Sequence, residues 1–238
     1  MSSTADASAD PVPAEAPAIL DDLARRRYSC RAFRSDPVPR KTIEAILSTA
    51  QRTASWCNSQ PWQILITEGA GTEKFRDALY AHAASGAPEE ADLPRPREYR
   101  GVYKERRRES GYQLYDAVGI ERFDQDARQR QALENFRFFG APHVALITND
   151  EALGLYGAVD CGAYVGHFLL AAEAQGVATI AQAAIARYGR FVREYFGIGD
   201  DRQLVCGISF GYADREHPIN AYRTSRAELG EAVRWESE

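Results

Sequence analysis

The segment Tyr156–Gln175, YGAVDCGAYVGHFLLAAEAQ, does most to decide how this chain can fold. Its residues are apolar or small nearly all round a predicted helix, and they include Gly157, Gly162 and Gly166. Glycine lowers helix propensity, so we expect these glycines to let another helix approach the backbone closely. A helix that is apolar on almost every side has to pack against partners on more than one face.

Helix and strand patterns surround this segment without the regular alternation that indicates a parallel sheet, which predicts an α+β fold of four or five strands wrapped by helices. The predicted strands are Trp62–Thr67, Val144–Thr148, Val177–Ile180 and Leu204–Tyr212. The other predicted helices cover residues 19–27, 40–52, 72–85, 98–119, 124–137 and 187–196. Ser225 and Glu228 have capping-box spacing, which predicts a final helix there.

The chain is expected to form one domain over residues 18–238. Residues 1–17 are mainly Ala, Ser, Asp, Glu and Pro with almost nothing to bury, which predicts a disordered tail. The stretch of about 86–130 is highly charged and flanked by prolines. We interpret this stretch as an insertion or lid and not as a separate domain.

Composition argues against several classes of protein. The 238 residues include 29 basic and 34 acidic ones, a net charge of −5, so a nucleic-acid partner is not expected. Asp160, His167 and Glu173 interrupt the most apolar segment, which favours a core helix over a membrane span. The four cysteines are far apart and form no CxxC pair, as expected of free thiols in a reducing compartment. With no secretory signal visible, we predict a cytoplasmic protein.

The common catalytic motifs are missing from the sequence. None of the histidines has a second His or a Cys three to five residues away, so no metal site is predicted. There is no GxSxG motif, no GxxxxGKS loop and no GxGxxG after a strand. The chain therefore offers no obvious nucleophile and none of the usual nucleotide motifs.

Two unusual segments lie in the first quarter of the chain. Arg25–Arg31, RRRYSCR, suits an anion because guanidinium groups and a hydroxyl hold phosphate bidentately, although arginines at a helix end also suit the helix dipole. Ala54–Trp62, ASWCNSQPW, offers two tryptophans, an Asn and a Gln that can surround a flat heterocycle. The alternative for this second segment is a polar turn with aromatic anchors.

Two further segments lie in the second half. Thr179–Ala184, TIAQAA, leaves a predicted strand with small residues, so its backbone N–H groups could come close to a ligand. Asn220–Arg226, NAYRTSR, brings two arginines beside a predicted helix N-terminus, which is itself an anion site. The alternative for this last segment is a solvated basic tail.

Taken in order, these segments resemble the FMN-dependent nitroreductase family. RRRYSCRAF, SWCNSQPW, the glycine-rich helix, ENFRFFGAPHVALIT and LVCGISFGYADREHPINAYRTSRAEL carry the resemblance over about Ile19–Val233. It implies a nitroreductase-like fold with a central mixed sheet. It also implies an intertwined homodimer in which long helices form the interface and each FMN touches both subunits.

The two ends of the chain match the family's contacts to the FMN phosphate and flavin edge. The residues at the N-terminal basic-x-Ser-x-basic motif are Arg27, Tyr28, Ser29 and Arg31. By resemblance, Arg27 would contact the phosphate or ribityl chain and Arg31 the N1/O2 edge of the flavin. Arg223 and Arg226 match the terminal phosphate clamp.

Two internal segments match the family's contacts to the flavin ring. The residues of the loop that the second subunit lays against the ring are Ala54, Ser55, Trp56 and Asn58. Ala181 and Gln182 match the pair whose backbone N–H groups lie beside flavin N5. Many members have Glu-Gly at that pair, and no second basic contact to N1/O2 can be aligned.

The resemblance implies an FMN oxidoreductase that takes electrons from NAD(P)H and reduces nitroaromatic or quinone substrates by a ping-pong mechanism. The cofactor carries the hydride, so no protein nucleophile and no metal are needed. Phe136, Phe138, Phe139 and Tyr115 are candidates for apolar walls of the site, with core packing as the alternative. Other functions left open are reductive dehalogenation, flavin cleavage, and flavin storage or redox sensing without catalysis.

Overall fold

A four-stranded sheet forms the centre of the structure, a computed structural model that describes residues 12–237. The strands are β1 Gln63–Thr67, β2 His143–Asp150, β3 Ala178–Gln182 and β4 Arg202–Gly211, in the spatial order β1-β2-β4-β3. The α+β class and the strand number are confirmed. All three strand pairings are antiparallel, so the expected mixed sheet is wrong for these strands. The structure records a parallel pairing at the single bridge between Ser29 and Thr179.

Eight helices surround the sheet in the part of the chain that the structure describes. They are α1 Ala16–Arg26, α2 Arg40–Ala50, α3 Ala70–Ala84, α4 Gly101–Ala117, α5 Gln125–Leu133, α6 Gly154–Ala174, α7 Gly189–Phe196 and α8 Leu229–Ala232. Each predicted helix is present within a few residues of its predicted bounds, except that α5 ends early. Residues 134–140 form a 3-10 segment in which Phe138 and Phe139 have φ of 58° and 52°. Such left-handed backbone cannot continue an α-helix.

The predicted tail falls largely on residues 1–11, which lie outside the described residues, and α1 begins at Ala16. At the other end, the predicted box of Ser225 and Glu228 is wrong. The structure has a capping box one turn later, in which Glu228 and Glu231 exchange hydrogen bonds with each other's backbone at the start of the four-residue helix α8.

Helix α6 packs one face into the main core and leaves the opposite face open. Cys161, Tyr164 and Phe168 are buried with residues of α2 and of strands β2 and β4. Leu155 and Val159 are 76% and 58% exposed. The span Glu151–Ala174 is long and apolar enough to cross a membrane, with 39% of the scored window buried. One apolar face of this helix is explained by its packing on the sheet. A second apolar face is uncovered within one chain.

The three glycines of α6 differ in what lies beside them. A Cβ on Gly157 would lie 2.1 Å from Oδ1 of Asn149, so this glycine makes room for a β2 side chain and not for another helix. Gly162 and Gly166 are exposed, and a Cβ on either would meet no atom within 4 Å. Within one chain, these two glycines therefore have no packing role.

A second core lies between the sheet and helices α3 and α7. Phe75, Leu79, Ile185 and Val192 belong to it and are fully buried. Phe136 and Phe138 are 3% and 0% exposed and belong to this core, whereas Phe139, 7% exposed, also lines an open cleft that includes Arg31. Tyr115 is half-buried beneath the guanidinium of Arg128, which lies 4.6 Å from its ring centroid.

His143 joins three parts of the core through its neutral ring. Its Nε2 accepts a hydrogen bond of 3.0 Å from the Val38 N–H, and Nδ1 lies 3.2 Å from the Thr67 carbonyl oxygen. The ring also stacks on Phe210 at 5.1 Å. Burial lowers the pKa of His143, because a charged imidazolium would have to leave water.

We predict that protonation of His143 contributes to acid unfolding. The lowered pKa means that the unfolded chain binds this proton more readily, so its contribution to stability is complete above about pH 6.5 and is lost as the pH falls from there. The free energy of unfolding, measured with denaturant, should therefore fall less steeply between pH 7.5 and pH 5 for His143→Gln than for the parent. His82→Gln, on the half-buried surface of α3, is the control. Identical slopes for parent and His143→Gln would contradict this role.

Candidate functional site

The N-terminal and C-terminal basic motifs meet in one cleft. Its volume is about 440 Å³, and no carboxylate lines it. The lining residues are Ala24, Arg25, Arg27, Tyr28, Ser29, Arg31, Ser110, Tyr222, Arg223, Thr224 and Arg226. All six residues predicted from the two ends of the chain are among them, so about 200 residues of intervening sequence fold back to one site.

Positive charge accumulates in this cleft, where Arg25 pairs with Asp21 but the other four arginines form no ion pair with a carboxylate of residues 12–237. The pKa of the Arg27 guanidinium is lowered, first by burial and then by the like charge of Arg226, while Glu173 acts in the opposite direction. The hydrogen bonds of the Arg226 side chain go to its own neighbours Thr224 and Ser225. A dianionic phosphate would relieve the repulsion between these arginines and form charge-assisted hydrogen bonds with them.

Arg31 is held in place by Asn220 and Tyr222, for which the sequence predicted no individual role. Its backbone N–H donates to Oδ1 of Asn220 at 2.9 Å, and its Nη1 donates to the Tyr222 hydroxyl at 3.0 Å. Nη1 also donates to the Ser29 carbonyl oxygen at 3.1 Å. Asn220 is buried and donates to the carbonyl oxygens of Ala32 and Asp214 as well. Asn220 therefore fastens the C-terminal segment to the N-terminal motif.

Arg223 and Tyr28 form a second link between the two motifs. The guanidinium carbon of Arg223 lies 3.7 Å from the Tyr28 ring centroid, a close cation–π contact. Nη1 of Arg223 also donates to the carbonyl oxygens of Asn220 and Tyr222, each at 2.8 Å. These contacts fix the guanidinium at the cleft wall.

Ala181 and Gln182 end the edge strand β3. Ala181 is exposed, so its backbone is open to a ligand at the sheet edge. The Gln182 side chain is buried and points away from such a ligand: Nε2 donates to the Asn135 carbonyl oxygen at 2.9 Å, and Oε1 accepts from the Ser209 hydroxyl. Any contact that Gln182 makes with a ligand therefore comes from its backbone.

The loop Ala54–Asn58 has a constrained backbone and an exposed tryptophan. Cys57, Asn58 and Gln60 have φ of 52°, 55° and 47°, which non-glycine residues rarely adopt. Two hydrogen bonds hold the loop, from the Trp56 N–H to the Asp160 carboxylate at 3.1 Å and from the Gln60 N–H to the Ser55 hydroxyl at 2.9 Å. The Trp56 ring is 59% exposed and packs edge-on against Tyr156 at 4.4 Å.

Within one chain, the loop and the arginine cleft lie at opposite ends of α6. The loop is bound to Asp160, whereas Arg26, beside the cleft, forms an ion pair of 3.6 Å with Glu173. Thirteen residues of helix separate the two anchors, a distance of roughly 20 Å. Within one chain, these anchors hold the predicted ring loop and the predicted phosphate clamp at separate positions along α6.

Thiol and metal chemistry find no support in the described residues. Residues 12–237 contain no group of three or more His, Cys, Asp or Glu that could hold a metal ion. All four cysteines are free, as predicted. Burial raises the pKa of Cys30 to about 11 and the pKa values of Cys161 and Cys206 to about 12, so these three thiols stay protonated at neutral pH.

Several known proteins are similar to this chain over most of its length. A family model described as the nitroreductase family matches residues 24–212. Nitroreductase NfnB of Mycolicibacterium smegmatis is 38% identical over 90% of this chain and 91% of its own length. A 4-nitrobenzoate reductase of a Nocardioides species is 36% identical over 88% and 87%.

A solved structure extends the likeness to three dimensions. The crystal structure of the FMN-dependent nitroreductase NfnB from Mycobacterium smegmatis, in complex with NADPH, has a TM-score of 0.88 at 36% identity. That match covers 93% of this chain and 99% of the other. The match to the family model spans most of the chain, and both relatives are more than one third identical to it over the aligned residues. The chain therefore belongs to the nitroreductase family.

Proposed function

We propose that this protein is an FMN-dependent NAD(P)H oxidoreductase that reduces nitroaromatic and quinone substrates by a ping-pong mechanism. The observation that carries the proposal is the cleft in which Arg27, Arg31, Arg223 and Arg226 converge without a carboxylate. Its donors suit a phosphate dianion, and relatives named as nitroreductases support the rest. The free thiols agree with a reducing compartment, so we assign the enzyme to the cytoplasm.

The residues of the chain would divide the work of binding FMN. Arg27, Arg223 and Arg226 would hold the phosphate, and Arg31 would lie at the N1/O2 edge. FMN, when bound, supplies the hydride chemistry between NAD(P)H and the nitro group. A guanidinium fixed at N1/O2 stabilises negative charge there, and its orientation is set in advance by Tyr222 and Asn220. The backbone of Ala181 would contact the N5 side.

A second copy of the chain would complete the site. The exposed face of α6 presents Leu155, Val159, Gly162 and Gly166, which two copies can bury against each other through close helix approach. If the two α6 helices pack antiparallel, the Trp56 loop of one subunit comes to the end of α6 at which the partner's arginine cleft lies. In this arrangement the loop of one subunit would lie beside the clamp of the other, although the anchors of loop and clamp in one chain are roughly 20 Å apart along α6.

Turnover separates this proposal from its alternatives. The purified protein should carry FMN and should oxidise NADPH or NADH only when a nitroaromatic or quinone acceptor such as 4-nitrobenzoate is present. Flavin cleavage would instead consume the flavin, and dehalogenation would require a haloaromatic acceptor and release halide. A protein that binds FMN but turns over none of these acceptors would leave flavin storage or redox sensing as its function.

The α6 interface predicts that Gly166→Leu splits the dimer. A Cβ at this position would meet no atom of its own chain within 4 Å, so the fold should tolerate the substitution, whereas a partner helix at close distance would be pushed away. Light scattering should show a dimer for the parent and monomers for the variant, with weaker FMN binding because the second subunit's loop is lost. Gly71→Leu, at an equally open glycine of α3, is the control and should remain dimeric. A dimeric Gly166→Leu protein would contradict this interface.

The two predicted roles of arginine give different redox signatures. Arg31→Gln should lower the FMN reduction potential, because a charge at N1/O2 interacts more strongly with anionic reduced flavin than with neutral oxidised flavin. Arg226→Ala should weaken the binding of oxidised and reduced FMN about equally, by roughly 1.5–3 kcal/mol for the loss of one charge-assisted contact. Its potential should therefore stay close to that of the parent.

Dye-equilibration titration measures the reduction potential of each variant. For a two-electron couple, a change of about 30 mV corresponds to 1.4 kcal/mol. Arg234→Ala, which removes an exposed arginine paired with Glu236, is the control for FMN affinity. If Arg31→Gln keeps the parent potential, Arg31 is only an anchor. If Arg226→Ala keeps the parent affinity, the terminal clamp is misassigned.

A further inference from the structure

Asp160 carries a negative charge on the largely apolar helix α6. The acidic residues of this helix are Asp160 and Glu173, and Glu173 forms the ion pair with Arg26. Among residues 12–237, Asp160 forms no ion pair of 4.0 Å or less. Its half-buried carboxylate instead accepts the Trp56 N–H, with its two oxygens at 3.1 and 3.3 Å. A half-buried carboxylate is costly without a hydrogen-bond donor, and the Trp56 loop supplies one.

This carboxylate caps the short turn at the tip of the loop. Trp56–Asn58 form a 3-10 turn, and the first N–H groups of a helical turn have no acceptor within it. Ser55 precedes the turn, but its side chain forms no capping hydrogen bond, because its hydroxyl accepts the Gln60 N–H. Asp160 therefore supplies, from another element, an acceptor of the kind that an N-cap side chain supplies.

The backbone of the loop depends on such contacts. Cys57, Asn58 and Gln60 have positive φ, and side chains in this conformation persist only where the surrounding structure imposes it. At the α2 end of the loop, Oε1 of Gln60 accepts from Nε2 of Gln51 at 3.1 Å. Nε2 of Gln60 donates to the Asn58 carbonyl oxygen at 3.2 Å. These two bonds hold one end of the loop, and the other end depends on α6.

Helix α6 holds the tryptophan end of the loop through two residues. Tyr156 and Asp160 are four residues apart, so they lie one above the other on the same side of the helix. Tyr156 packs edge-on against the Trp56 ring, and Asp160 accepts the Trp56 N–H. The ring is still 59% exposed. The two contacts thus fix the position of Trp56 and leave much of its ring open to a ligand or a second subunit.

We infer that Asp160 is a positioning residue for FMN, because it fixes the Trp56 loop in the conformation that meets the flavin of the partner subunit. This inference rests on the proposed function. The hydrogen bond to the Trp56 N–H carries the effect. An asparagine at position 160 keeps an acceptor oxygen and should preserve the loop, whereas a side chain without an acceptor should release it. Since the loop serves the partner's flavin, the loss should appear at the site of the other subunit.

The first experiment measures the loop and FMN affinity in variants of Asp160. With saturating FMN, Asp160→Ala should speed hydrogen exchange of the Trp56 amide, because that amide loses its acceptor. FMN binding, measured by flavin fluorescence, should weaken about five- to tenfold, as expected for the loss of one capping hydrogen bond. Light scattering should still show a dimer. Asp160→Asn should bind FMN within about twofold of the parent.

Two further variants keep this experiment decisive. Asp160→Leu has a side chain of similar size without an acceptor and suits the apolar helix, so it gives the same comparison if Asp160→Ala does not fold. Glu151→Ala is the matched control, because it removes the same charge from an exposed position just before α6. It should keep the parent values for FMN affinity and for exchange of the Trp56 amide.

A mixed dimer tests whether Asp160 acts on the partner's site. One chain carries Asp160→Ala and the other Arg226→Ala, with a different affinity tag on each so that the mixed dimer can be isolated. One site then combines an intact arginine cleft with an intact loop, and the other site has both defects. FMN titration should show half of the sites with the parent affinity and half with weaker binding than in either variant homodimer.

Several results overturn the inference. They include parent-like FMN affinity in the variants without an acceptor, and equal losses in Asp160→Asn and Asp160→Ala, which would assign the effect to the charge. Dissociation of Asp160→Ala into monomers would assign the residue to the interface. Two sites with the affinities of the single variants in the mixed dimer would place the loop on the flavin of its own chain. Absence of FMN from the purified parent would instead refute the proposed function itself.

Discussion

Helix α6 buries Cys161, Tyr164 and Phe168 against the sheet, and this packed face determines where the predicted site residues can lie. Loss of this apolar contact would cost several kcal/mol, far more than the exposed ion pairs on the surface contribute. Because the helix is fixed by its core face, the Trp56 loop at one end and the arginine cleft at the other are held roughly 20 Å apart. The same rigidity presents the uncovered apolar face as one straight surface.

Some arginines of the molecule have a carboxylate or carbonyl partner, whereas others face a second positive charge. Arg193 is largely buried and bonds Asp92 at 3.1 Å, and Arg202 is buried with its Nη2 on the Pro61 and Thr148 carbonyl oxygens. Arg27 and Arg226 instead repel each other across an open cleft. Repulsion between like charges destabilises the folded chain by itself, so its presence in a cleft without a carboxylate in its lining agrees with the proposed binding of an anion there.

Much of this fold could be predicted from the sequence, because apolar periodicity reports which face of an element is buried. It located the four strands and the helices on which the site depends. It could not give strand direction, which depends on the path of the connections, nor the left-handed residues Phe138 and Phe139, which tertiary packing imposes. The six residues from the two ends of the chain do converge. Asn220, which joins those ends, went unassigned because its partners lie about 190 residues away.

The lid combines a firm anchor with a loosely held helix. Asp92, 9% exposed at its side chain, accepts the Leu204 N–H at 2.8 Å and bonds Arg193, so the start of the lid is fixed to β4 and α7. Beyond that anchor, α4 has no buried residue. A segment with few buried apolar contacts opens at low free-energy cost. Exposed charged side chains on such a helix contribute little to the free energy of unfolding, so the position of the lid depends mainly on its anchor at Asp92.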